Sequence, residues 1–219
     1  MPSSATGHSF LYWFIIHCIM SYLIWKRIID IVGSSMGLLI LAIFFPFVFL
    51  AIKLNSSGPA IVKLKRISMG KIIKVYKFRT MVINAAEMKY NLINLNERND
   101  GPFFKIKKDP RITGVGKVLR KFLIDEFPQF MNVLRGELSL VGPRPHEPTE
   151  VKKYPEEYKN LTQAKAGITG LSQINGASAL PFLKELELDE FYLNNRSFWL
   201  DSKIILKTLK ILFTDPAGV

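Results

Sequence analysis

From Phe10 to Ile52 the chain carries only Lys26, Arg27 and Asp30 as permanently charged residues. No other feature restricts the fold as strongly, because apolar runs of this length are candidates to enter a membrane, although 219 residues also suffice to bury a core. The first part, "FLYWFIIHCIMSYLIW" from Phe10 to Trp25, is charged only if His17 is protonated. It falls just short of the roughly 20 residues that span a bilayer, and extension back to Gly7 makes a span possible. No basic residue precedes it and no small-residue cleavage site stands before Lys26, which argues against a cleaved signal. The second part, "IVGSSMGLLILAIFFPFVFLAI" from Ile31 to Ile52, has Lys26 and Arg27 before it and Lys53 after it. Basic residues at both ends suit a hairpin that enters and leaves by the cytoplasmic face. Pro46 supplies a bend, since it lacks an N–H and clashes with the preceding turn; a straight span with a tolerated proline is the other reading.

The formal net charge of +12 is unevenly distributed. Basic against acidic residues number three to one in residues 1–60, sixteen to four in 61–124 and eleven to thirteen in 125–219. A basic middle third suits nucleic acid, an anionic membrane surface or a phosphorylated substrate, and composition does not choose among them. The single cysteine, Cys18, excludes an internal disulfide and a cysteine-rich metal centre.

After the "NSSGP" junction at 55–59, the stretches "AIVKLK" and "IIKVYKF" around Gly70 predict a β-hairpin within 61–81. Helical patterns follow over Asn84 to Asn96, about Gly114 to Phe122, and about Asp125 to Leu134. With few strands, the expectation is an α-rich α+β fold. Near the C-terminus, "FWLDSKIILKTLKILF" (198–213) sets Lys203, Lys207 and Lys210 at helical spacing with Trp199, Ile205, Leu209 and Leu212 on other faces. That pattern reads as an amphipathic helix at a membrane interface, or as a soluble helix packed on the domain.

The stretch "LIDEFPQFMNVLRGELSLVGPRP" (123–145) presents two adjacent carboxylates, Asp125 and Glu126. Asp125 stands where a helix cap is expected and Pro128 falls in the first turn, so capping and dipole stabilisation account for the pair in a purely structural way. The alternative is chemical. Arg120 and Lys121 precede the pair and Arg144 follows between Pro143 and Pro145. Arginines grip phosphate in forked geometry, two carboxylates can hold Mg²⁺ against phosphate, and an ionised carboxylate can attack phosphorus.

Five ordered blocks, "KRIID", "YKFRTM", "RKFLIDEFPQFMNVLRGELSLVGPRP", "AGITGLSQINGA" and "LDEFYLNNRSFWLDSKIILKTL", resemble the bacterial sugar transferase family, the small monotopic polyprenyl-phosphate phosphoglycosyltransferases. The resemblance covers about residues 26–213 and implies transfer of a sugar phosphate from a nucleotide sugar, UDP-linked, to a membrane polyprenyl phosphate, with release of UMP. It implies Asp125 as nucleophile, an aspartyl phosphosugar intermediate, and Glu126 as its partner at a Mg²⁺ ion held by both carboxylates. Arg120 and the Pro143–Arg144–Pro145 motif match the family's phosphate-binding positions, and Lys77 and Arg79 lie near its active site, where they are expected to stabilise phosphate charge. The implied organisation is an extension over 1–25, a re-entrant membrane helix over 26–54 and a catalytic domain over 55–219, on the cytoplasmic face of the bacterial inner membrane. The chain departs from the family pattern in three places. Pro46 follows Phe45, where the family has a Ser-Pro pair aligned with Ala42–Ile43; a tryptophan is missing at Leu171 and Ser172; and Ala177 replaces an arginine.

Other features carry less. His8, His17 and His146 are too scattered for a metal triad, and "ITGVGK" lacks the glycine spacing of a nucleoside-triphosphate loop. A membrane-tethered basic protein that binds nucleic acid or anionic lipid is the competing class, although nucleic acid is not an expected partner of the enzyme. It needs only positive charge, whereas the enzyme needs the acid pair.

Overall fold

The computed structural model describes residues 5–176 and 179–214, with side chains from Met20 onward. Cys18, His8, His17 and Ala177 therefore lie outside the described side chains, as does most of the 1–25 extension. One helix, α1 (Ala5–Asn55), runs without interruption through Pro46, through Ala42–Ile43 and across the expected boundary at residue 26. No turn reverses the chain there, so the hairpin expected from Pro46 is not a break in helical structure. A single proline removes one ladder hydrogen bond, and the contacts that follow hold the helix on both sides of it.

Those contacts recur every three or four residues along one face of α1. Tyr22 donates to Asp201 (3.0 Å), Arg27 donates to the carbonyls of Val133 and Leu134 (2.8 Å each), and Asp30 accepts from Ser139 Oγ (2.9 Å) and Leu140 N (2.8 Å). Small residues then let the backbone approach: a Cβ on Gly33 would lie 2.6 Å from Leu140 Cδ1, and one on Gly37 2.5 Å from the Phe130 ring. Further along, Leu41 and Ile52 are buried with Ala60, Phe78 and Leu119, and Phe45 packs on Phe78. The opposite face leaves Leu39, Ile43, Phe44 and Phe47 exposed.

Strands β1 (Ile61–Ser68) and β2 (Lys71–Phe78) form the expected antiparallel hairpin. Its two turn residues, Met69 (φ 53°) and Gly70 (φ 68°), both take positive φ, the signature of a type I′ turn. The predicted 84–96 helix is α2 (Ala85–Asn91) followed by a short 3-10 turn (Ile93–Leu95). Next come α3 (Gly114–Lys121), a 3-10 segment (Ile124–Gln129) and α4 (Phe130–Leu134). Beyond them are β3 (Ser139–Val141), α5 (Pro148–Val151), a second 3-10 segment (Glu156–Gln163), β4 (Gly167–Thr169), α6 (Leu171–Ile174), α7 (Phe182–Asn195) and α8 (Phe198–Thr214). Two-stranded sheets, β1–β2 antiparallel and β3–β4 parallel, sit among these helices. The fold is α+β and mostly helical, and α1 is apolar and long enough for membrane insertion.

Helix α8 packs on the domain by one face and leaves an apolar and basic face outward. Asp201 and Ile204 are buried against the domain, while Trp199, Leu206, Leu209 and Phe213 stay exposed beside Lys203, Lys207 and Lys210.

Candidate active site

The acid pair does not cap an exposed helix. Helix α3 ends at Lys121, and Leu123 then adopts a left-handed conformation (φ 52°, ψ 18°) that redirects the chain into the 3-10 segment. For a branched residue this conformation costs about 1 kcal/mol or more, and such strain concentrates at functional sites. Asp125 falls inside that segment and is only 6 % exposed, so the capping role is corrected: Leu123 is the N-cap residue and no side chain caps the segment. Burial pushes the Asp125 carboxyl up to about 6, with Lys77 and Arg120 opposing the rise and Glu126 adding to it.

Glu126 is partly buried and has partners. Lys77 donates from β2 to its Oε1. Burial pushes Glu126 upward, but the charges of Lys77 and Arg144 and the bonds from Lys77 and Gln129 hold it below the usual carboxylate range. Strand β2 is set against this segment by Asn132, which accepts from Tyr76 N (3.0 Å) and donates to the Lys74 carbonyl (2.8 Å). Lys77 follows directly in register.

Arg120 arrives from α3. Thr113 caps that helix by accepting from Gly116 N (3.0 Å), so "ITGVGK" is a helix start rather than a phosphate loop. Arg120 Nε donates to Thr80 Oγ1 (2.9 Å). Its guanidinium makes no ion pair among the described residues, and burial lowers its pKa against the attraction of Asp125 and Asp109.

Arg144 stands on a loop locked from both sides. Gly142 N donates to the Thr169 carbonyl and Gly167 N to the Pro143 carbonyl (2.9 Å each). A Cβ on Gly142 would lie 2.6 Å from the Lys165 carbonyl, which explains why glycines recur in both "VGPRP" and "AGITG". Pro143 is buried and Pro145 partly so. Arg144 N donates to Asp189 Oδ2 (3.1 Å), which leaves the guanidinium available on the Glu126 side.

Arg79 does not join this group. It is 4 % exposed, and its guanidinium donates to the carbonyls of Ser56 (2.7 Å) and Ser57, closing the junction between α1 and β1. Its bonds commit it to that junction rather than to the acid pair. Sequence reasoning had also passed over Gln129, Thr80 and Asp189. Gln129 was open to discovery, because residues three apart eclipse one another on a 3-10 segment, which puts it over Glu126. Thr80 and Asp189 act through distant partners and leave no local signal.

Among the described residues no cluster of three or more His, Cys, Asp or Glu could hold a metal unaided. Two adjacent carboxylates do suit an ion that takes its remaining ligands from substrate phosphate and water.

The family model described as "Bacterial sugar transferase" matches residues 21–215. The chain is 45 % identical over 194 residues to the galactosyl transferase CpsE of Streptococcus agalactiae serotype III, covering 88 % of this chain and 43 % of CpsE. It is 37 % identical to the undecaprenyl-phosphate galactose phosphotransferase of Salmonella typhimurium, over 85 % of this chain and 40 % of that protein. The chain thus spans less than half the length of these relatives. Against the uncharacterized sugar transferase EpsL of Bacillus subtilis it is 36 % identical over 86 % of this chain and 87 % of that one. The matched region runs from the first third of α1 to the end of α8 and includes the whole acid-pair site, and on that evidence the chain belongs to the bacterial sugar transferase family.

Proposed function

We propose that this chain transfers a sugar 1-phosphate from a UDP-sugar to a membrane polyprenyl phosphate and so initiates assembly of a glycan. The observation that carries the reading is the buried Asp125 beside Glu126, with Lys77, Arg120 and Arg144 converging on the pair. Names of relatives point the same way, since two are an undecaprenyl-phosphate galactose phosphotransferase and a UDP-glucose:undecaprenyl-phosphate glucose-1-phosphate transferase.

In the proposed first step an Asp125 carboxylate oxygen attacks the sugar-bearing phosphorus. The bond from that phosphorus to the bridging oxygen breaks, and UMP leaves with the electron pair. In the second step a phosphate oxygen of the polyprenyl acceptor attacks the same phosphorus, the aspartyl oxygen–phosphorus bond breaks, and the carboxylate is restored. Arg144 and Arg120 supply positive charge to the phosphoryl oxygens. Lys77 and Gln129 keep Glu126 ionised and oriented. Asp125 and Glu126 would hold Mg²⁺, which supplies charge neutralisation at the diphosphate. The fit is good, because burial disfavours the charged form of Asp125 and a cation beside it would reverse that.

The membrane placement we infer is monotopic for residues 26–53 of α1, with Lys26 and Lys53 both on the side that carries the catalytic domain. Contacts to the domain begin at Tyr22 and Lys26 and continue to Ile52, a length of roughly 45 Å for a straight helix, against about 30 Å of bilayer core. Upright insertion of that whole length would drag the packed domain into lipid. A shallow or re-entrant insertion near the exposed Ile43, Phe44 and Phe47 avoids this, and Lys26 and Lys53 then both face the cytoplasm, where nucleotide sugars are supplied.

The deciding experiment supplies full-length protein with Mg²⁺, polyprenyl phosphate and a panel of UDP-sugars. Release of UMP from at least one donor is expected, and no release from any would end the enzyme reading.

A further inference from the structure

Beside the start of the family-matched part of α1, the end of α7 and the approach to β4 enclose a cavity of about 110 Å³, lined among others by Tyr22, Lys26, Arg27, Lys165, Tyr192 and Arg196. It shares no lining residue with the acid-pair site and is large enough for several waters or one tetrahedral oxyanion.

Its charges are poorly balanced. Lys26 is paired with Asp201 (2.7 Å) and also donates to Tyr192 (3.1 Å). Arg27 is met by the carbonyls of Val133 and Leu134 and makes no ion pair among the described residues. Lys165 and Arg196 make no ion pair among the described residues. The one carboxylate in the lining is Asp30, whose Oδ1 already accepts from Ser139 and Leu140. Burial lowers the Lys165 pKa, the attraction of Asp30 opposes this, and repulsion from Arg27 and Lys26 adds to it. Four cations therefore border one space with Asp30 and the already paired Asp201 as counter-charges.

The surroundings are those of a lipid interface rather than open water. Leu23 and Leu193 border the cavity, and exposed Ile24, Trp25, Phe198 and Trp199 occupy the flanking turns. Tryptophans at headgroup depth beside lysines and arginines are the usual boundary of a membrane-embedded segment. Basic pockets at that depth bind anionic headgroups.

We propose that this cavity holds the headgroup phosphate of an anionic phospholipid and thereby fixes the depth at which α1 sits. The proposal rests on the monotopic placement above but not on transfer activity, so a lipid-binding readout separates the two. Full-length protein in neutral detergent is titrated with phosphatidylglycerol, with phosphatidylcholine, or with inorganic phosphate. The readouts are Tm and, by mass spectrometry, retained lipid. Phosphatidylglycerol is expected to raise Tm with a saturable midpoint, and the other two are not. Arg196→Glu, at an exposed helix end, and the double variant Lys165→Gln with Arg196→Gln should weaken that midpoint by roughly tenfold or more. Lys203→Gln with Lys210→Gln, on the exposed face of α8, should leave it unchanged. An unchanged midpoint in Arg196→Glu, provided its lipid-free Tm matches wild type, would overturn the site. So would an equal loss in the α8 pair, or an equal Tm rise with inorganic phosphate alone.

Discussion

Lys77 on β2 donates to Oε1 of Glu126, which ties one carboxylate of the acid pair to the hairpin and leaves Asp125 without an ion-pair partner among the described residues. The two acids are therefore unequal before any substrate arrives: Glu126 is held ionised and Asp125 resists ionisation. Lys77→Met should remove the stabilising charge from both. We expect kcat to fall by about a hundredfold with a smaller change in KM, because the loss falls on charge stabilisation at the reacting centre. An unchanged kcat would reduce Lys77 to a structural tie.

Asp125→Asn should abolish turnover and yet stabilise the protein. In the folded state the carboxyl is raised from 3.8 to about 6, so its ionisation opposes folding. The penalty is absent below the unfolded value of 3.8 and complete above pH 6, where it amounts to about 3 kcal/mol at most. Tm of the variant should exceed wild type by several degrees at pH 8, and the gap should close toward pH 4. The same ionisation should give kcat/KM an acid limb near pH 6 that moves lower as Mg²⁺ rises. A variant less stable than wild type at pH 8 would contradict the burial argument.

Arg79→Ala separates the junction role from phosphate binding. Loss of the bonds to Ser56 and Ser57 should destabilise the fold by roughly 1–3 kcal/mol while the folded fraction keeps its KM for the donor. A raised KM at unchanged Tm would return Arg79 to the phosphate site.

Arg144→Ala should cost activity severely, and Arg144→Lys should recover only part of it, since an ammonium cannot reproduce the guanidinium fork. Full recovery with lysine would make Arg144 a general positive charge. Circular dichroism should show both variants folded, because the loop is held through backbone bonds to Thr169, Gly167 and Asp189.

Single cysteines near Lys26 and near Lys53, in a Cys18→Ser background, should both resist an impermeant thiol reagent in intact cells and both react in inverted vesicles. Opposite labelling of the two positions would mean that α1 crosses the membrane between them.

Where local chemistry dictates structure, the sequence was readable. Alternating apolar residues around Gly70 gave the hairpin, the helical pattern from Gly114 to Phe122 gave α3, and the spacing of Asp125, Glu126, Arg120 and Arg144 gave the candidate site. What escaped depends on partners far along the chain. Asp125 resembled a cap because nothing in "FLID" signals the left-handed turn at Leu123, which tertiary packing imposes. Arg79 resembled a phosphate ligand because its carbonyl partners lie 22 and 23 residues earlier. Strands β3 and β4 have three residues each, too few for any period to show. The contact stripe of α1 was masked because an apolar helix that packs on one side looks the same in sequence as one surrounded by lipid.

That stripe also bears on how the protein is made. Leu41 and Ile52 belong to the same buried cluster as Phe78 and Leu119, and Asp30 receives Ser139 and Leu140, so α1 is a wall of the domain rather than its tether. During synthesis the apolar helix emerges from the ribosome long before these partners exist, and on the membrane placement proposed above it reaches the bilayer with an unsatisfied carboxylate on its inner face. The domain then completes itself against that helix, so a gene shortened to begin after residue 55 would encode a domain with an open side where Leu41, Ile52 and Asp30 had packed.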